Sequence, residues 1–87
     1  QLGDTVTAWK ACTECIEITR NLASASATIE HITDFATMLE TAVTFARATT
    51  MRDPAPYAAE LRRLLPDLPD DRRRQAEEVL EAMSHRS

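Results

Sequence analysis

The sequence predicts an all-α domain, a small bundle of three to four helices. Three observations carry that prediction. Gly3 is the only glycine in 87 residues, whereas hairpins and sheet turns draw on glycine for their left-handed backbone positions. Apolar residues recur at helical spacing over most of the first half. All four prolines, Pro54, Pro56, Pro66 and Pro69, fall in one short stretch, where they mark helix boundaries because proline is tolerated in a first turn and breaks a helix interior.

The long proline-free segment comes first. Ala8, Ala11, Cys15, Ile18, Leu22 and Ala25, then Ile29, Ile32, Ala36, Leu39, Val43 and Ala46, alternate in spacings of three and four. That is the a/d seam of a helix packed on another, sustained for about five heptads without a phase break. Gly3-Asp4 supplies a start, with Asp4 placed to cap free backbone N–H groups. Residues 4–50 therefore form either one long helix or a helical hairpin bent at Asn21–Ser26, where Asn21, Ser24 and Ser26 are cap-forming types. An unbroken helix would reach about 70 Å at ~1.5 Å per residue, too long for so small a chain to cover. The hairpin is the preferred reading, and the long helix would suit an elongated oligomer.

The second helix of that hairpin, about Ser26–Thr50, carries the wider apolar arc. Phe35, Met38, Ala42 and Phe45 adjoin its seam, while Thr33, Thr37, Thr41 and Thr44 form a neutral face with few charges. An arc that wide predicts the central helix of the bundle. After the break near Met51, the proline-delimited segment 54–84 reads as a short helical hairpin within one 1–87 domain. Asp53 caps a helix opened by Pro54, with Tyr57, Leu61, Leu64 and Leu65 along one side and Pro66 ending it. Asp70 and Asp71 then open a last helix at its positive end, with Ala76, Val79, Leu80 and Met83 as its apolar stripe.

Composition narrows function by exclusion. The formal net charge is −4 and the sequence pI about 5.0, against the basic stripe that nucleic-acid binding requires and against an electrostatic hold on anionic membranes. No apolar run approaches the ~18 residues of a membrane-spanning helix, and no signal-peptide pattern is visible. The expectation is a soluble protein, with the cytoplasm the favoured location.

The reactive residues lack partners for chemistry. Cys12-Thr13-Glu14-Cys15 has the spacing of a redox or zinc half-site, but the chain holds only two cysteines, and the motif lies within a predicted helix without a βαβ context. Both are expected as small core residues. His31 and Asp34 stand one turn apart, yet Thr28 and Ala82 occupy the positions where a Glu-x-x-His pair would need a carboxylate. No nucleophile elbow or glycine-rich phosphate loop is present. The sequence thus predicts no enzyme, no cofactor and no metal site. Arg72-Arg73-Arg74, with Arg62 and Arg63 nearby, is expected as a solvated face paired with Glu77 and Glu78.

What remains is apolar helix surface in excess of what so small a bundle can bury. Trp9, on a stripe with Val6, Thr13 and Ile16 apart from the main seam, is either packed on the C-terminal hairpin or an exposed aromatic anchor. The expected function is a helical protein–protein interaction module, such as an adaptor, small chaperone, assembly or regulatory subunit. Trp9, Ile16, Phe35, Met38 and Phe45 are its candidate contact residues, and another protein or a second copy its partner. A helical piece of a larger enzyme or structural protein is the alternative, and a metal- or ligand-binding bundle a more remote one, requiring Cys12, Cys15 and His31 to converge.

Overall fold

The computed structural model describes residues 2–49 and 52–84. The helical hairpin is the observed alternative: α1 (Leu2–Ala25) runs into α2 (Ile29–Thr49), followed by α3 (Ala55–Leu64), a 3-10 turn (Leu65–Asp67) and α4 (Asp70–Ser84). Thr50, Met51 and His85 lie outside the described residues. α1 begins at Leu2, ahead of Asp4, so the predicted cap is already inside the helix.

The bend falls at residues 26–28, later than predicted. Helical bonding continues through Asn21 and Ser24 to Ser26, whose N–H still donates to the Leu22 carbonyl at 2.9 Å. The chain reverses where the next helix can be capped. Thr28 Oγ1 accepts the His31 N–H at 3.2 Å, and its carbonyl accepts from Ile32 at 3.0 Å. His31 Nδ1 lies 2.7 Å from the Ser26 carbonyl; since that oxygen can only accept, Nδ1 carries the proton. His31 holds the position of the capping-box glutamate, but its ring donates to the Ser26 carbonyl instead of accepting the Thr28 N–H, which goes to that same carbonyl at 2.8 Å.

α2 is the central helix, with α1, α3 and α4 all packed on it. Ala36, Leu39, Val43 and Ala46 of the predicted seam are at most 1% exposed, as is Ala42 beside it, so the seam is the core seam from Ala36 onward. Ile32 is half-buried, and Ile29, the first seam residue, is 64% exposed. α3 adds Ala58 and Leu61, and α4 adds Ala76 and Leu80. Leu68, in the extended residue after the 3-10 turn, closes the core between them.

On α1 the predicted seam faces the wrong way. Ala8, Ala11, Cys15, Ile18, Leu22 and Ala25 are all exposed, with Ile18 at 59% and Leu22 at 46%. The core takes the neighbouring stripe instead: Cys12 and Ile16 are buried and Trp9 packs against them. Area explains the choice. The seam is mostly alanine, whereas Trp9 alone brings one of the largest apolar surfaces in the chain. The predicted core role therefore holds for Cys12 and fails for Cys15, which is exposed.

The arginines of α4 also depart from expectation. Among the described ion pairs none joins Arg73 or Arg74 to Glu77 or Glu78. Arg73 instead donates from Nε to the Leu65 carbonyl and from its terminal nitrogen to the Leu68 carbonyl, both at 3.0 Å. Both carbonyls lie where α3 unwinds, and the Leu65 oxygen also accepts the Leu68 N–H at 3.2 Å. Arg73 thus fastens the 3-10 turn to the last helix, with Asp70 3.3 Å away on its other side. α3 starts one residue later than predicted, at Ala55 with Pro54 at the N-cap position, and Asp53 just before it accepts the Ala55 N–H on Oδ1 at 3.0 Å.

The result is a flattened body of 37 × 29 × 18 Å. Its long axis matches the ~36 Å expected of the 24-residue α1. Its thickness is less than two full helix diameters, so a face of α2 and the outer face of α1 remain uncovered.

Candidate interaction surface

Three of the helices meet at Trp9. Its ring lies 5.5 Å from the Phe45 ring and 5.6 Å, edge-on, from the Tyr57 ring, and the Arg52 guanidinium sits 5.4 Å above it. A second tie joins α1 to α3. Arg20 donates from Nε and a terminal nitrogen to the two Glu60 oxygens, each at 2.8 Å, and its other terminal nitrogen reaches Glu17 at 2.7 Å. The same guanidinium lies 5.7 Å from the Phe35 ring centre. The Glu60 hydrogen bonds push the Arg20 pKa further above its ordinary value.

These contacts relocate the candidate contact residues. Ile16 and Phe35 are 2% and 5% exposed, inside the domain's own core. Trp9, Met38 and Phe45 are half-buried, and Met38 and Phe45 each line a surface groove. Among the described residues the large apolar side chains left outside are Val6, Ile18, Leu22 and Ile29. Three of these belong to the heptad seam, so a core-packing pattern was the available signal for a surface that the core does not use.

A further uncovered surface is a shallow trough along the threonine face of α2, where Thr37, Thr41 and Thr44 are exposed and Thr33 is half-buried. Thr37 and Thr41 direct their hydroxyl protons back to the Thr33 and Thr37 carbonyls at 3.0 Å. Thr41 therefore presents its acceptor lone pairs outward, whereas the Thr37 oxygen accepts from Arg72. Two grooves meet at Thr37. The smaller, about 270 Å³, lies against α1 between Cys15, Ile18 and Met38, with Asp34 at its side. The larger, about 470 Å³, lies against α4 and is walled by Phe45, Ala48 and Val79.

Glu40 lines the larger groove at only 6% exposure. Its Oε1 accepts from Gln75 Nε2 at 3.0 Å, and its Oε2 is buried without a hydrogen-bond partner. Arg72 is the nearby cation, but its terminal nitrogens are engaged by Gln75 Oε1 at 2.9 Å and by Thr37 Oγ1. Burial raises the Glu40 pKa above the usual carboxylate range, with Arg72 and the Gln75 hydrogen bond pulling it back. Burial likewise raises the Cys12 thiol, and the neighbouring Cys15 adds to that.

No helix among the described residues is long and apolar enough to cross a membrane. No protein-family model, curated protein or solved structure matches the chain.

Proposed function

We propose that this chain acts by binding rather than by catalysis, as a helical interaction module that pairs the outer seam of α1 with a helix of a partner. The carrying observation is the seam itself. Ala8, Ala11, Cys15, Ile18 and Leu22 keep heptad spacing on an exposed helix face, the pattern by which helices interlock knobs into holes. The small alanines and Cys15 allow close approach, and Ile18 and Leu22 supply the knobs. The groove beside Ile18 and Met38 extends that surface toward α2.

A second copy of the chain is the simplest partner, because a heptad seam is complementary to itself and a two-fold axis would bury the same patch on both sides. Adaptor, assembly and regulatory roles all use such a surface. The test is sedimentation equilibrium from low to high micromolar concentration, with Ile18→Glu and Leu22→Glu combined as the variant. A reversible dimer is expected, and the double variant should sediment as a monomer with unchanged helicity, since both side chains are outside the core. A compact monomer at every concentration would overturn the self-pairing, as would a dimer indifferent to the double substitution.

A further inference from the structure

We propose that the groove between α2 and α4 is a binding site for a primary ammonium group carried on an apolar stem, with Glu40 as its counter-ion. A carboxylate this deeply buried is ordinarily neutralised by a cation or saturated with hydrogen bonds. Glu40 has one hydrogen bond, from a neutral amide, and one oxygen with none. Arg72 is near enough for its charge to lower the Glu40 pKa, but it donates to Gln75 and Thr37, makes no ion pair with Glu40 and leaves its Nε buried without a partner.

Gln75 stands between the two charges. Its amide nitrogen covers Glu40 Oε1 and its amide oxygen takes Arg72, yet the residue is exposed. An exposed side chain changes rotamer readily, so an incoming ammonium can displace the Gln75 amide and exchange a neutral donor for a charged one. Charge-assisted hydrogen bonds are about twice as strong as neutral ones. The rest of the groove suits the stem. Phe45, Ala48 and Val79 give it an apolar wall, and the Thr41 hydroxyl, its proton directed to a backbone carbonyl, can accept a remaining N–H. Glu40 favours a cation at its end of the groove, with the Arg72 guanidinium at Thr37 and Gln75 offsetting part of that potential.

The ammonium can come from a free amine or from a partner's lysine, and the probes separate the two sources. Amide chemical shifts of residues 37–48 and 75–79 are followed while the protein is titrated with n-hexylammonium, N-acetyl-lysine amide, 1-hexanol or hexanoate. Either ammonium should bind, the tighter one naming the source, and 1-hexanol should bind more than about tenfold more weakly. Glu40→Gln should reduce ammonium affinity to that of 1-hexanol, and Gln75→Ala should raise it by removing the competing amide. No shift from either ammonium at millimolar concentration would overturn the proposal, as would equal affinity for 1-hexanol or unchanged ammonium binding in Glu40→Gln. Arg72 turning onto Oε2 in solution would produce the first of those results. The site lies apart from Ile18 and Leu22, so the titration can be repeated in the Ile18→Glu, Leu22→Glu protein, where failure of the seam and failure of the amine site are read separately.

Discussion

Replacing Glu40 should stabilise the protein, which is an unusual expectation for a residue at the centre of a bundle. The buried Oε2 has no partner, and an unsatisfied buried acceptor costs about 1–3 kcal/mol, more when it is charged. Glu40→Met keeps the length of the side chain, fills the same space and removes the orphan oxygen. It also releases Gln75 Nε2, which is on an exposed residue and can turn to water. A net gain of about 1 kcal/mol at neutral pH follows, or roughly 4–8 °C in Tm for a domain this size.

The pH dependence makes the reasoning specific. The folded-state pKa of Glu40 lies above the unfolded one because burial penalises the ionised form, so between the two values the folded state binds more protons than the unfolded. Stability from this group therefore falls as pH rises through that window, and the cost is absent below the unfolded value of about 4.3. Wild type and variant should differ most near pH 7 and converge near pH 3.5. Other carboxylates titrate in both proteins and cancel in the difference. Urea unfolding monitored by circular dichroism at several pH values gives that difference directly. A variant less stable than wild type at pH 7, or a gap that does not change with pH, would refute the account of Glu40 as a buried charge whose burial outweighs its compensation by Arg72 and Gln75.

Three further outcomes follow from the packing. Leu39→Ala, at a position with no exposure, should cost about 2–5 kcal/mol of a total of roughly 4–13 kcal/mol for a chain this long, leaving a marginal or unfolded protein by calorimetry. A double-mutant cycle on Arg20 and Glu60 should return a coupling near 1 kcal/mol, above the usual surface pair because the two-pronged geometry is good, but limited by the partial exposure of both side chains. Cys15 should react rapidly with a thiol reagent while Cys12, buried and with its pKa raised, reacts only on unfolding. If the α1 seam is covered by a second copy, the Cys15 rate should also fall as protein concentration rises.

The helical class was legible because it follows from local facts: one glycine, clustered prolines and a 3.6-residue period. The central role of α2 was legible too, since Phe35, Ala42 and the Leu39–Val43 seam give it apolar surface on two sides. The face of α1 was not. Period alone finds two stripes on that helix, and the choice between them depends on what Trp9 and Ile16 meet across space, namely Phe45, Tyr57 and the core around Leu39. The bend was misplaced by a few residues because Thr28 and His31 cap α2 without the glutamate that makes a capping box readable. The trough was half visible. Its threonine floor was read from sequence, but Glu40 and Gln75 are 35 positions apart, and no local pattern announces a carboxylate that becomes buried only when α4 folds back.

Trp9 is the chain's single tryptophan, and its surroundings come from three helices and the linker that carries Arg52. Its emission is therefore a record of assembly rather than of helix formation: α1 and α2 could wind and pair while the indole still lacked Tyr57 and Arg52. Circular dichroism sees each helix as it forms, whereas the indole registers the arrival of α3. The delay between the two signals in a rapid-mixing experiment would measure how long the amino-terminal hairpin exists before the rest of the domain closes on it.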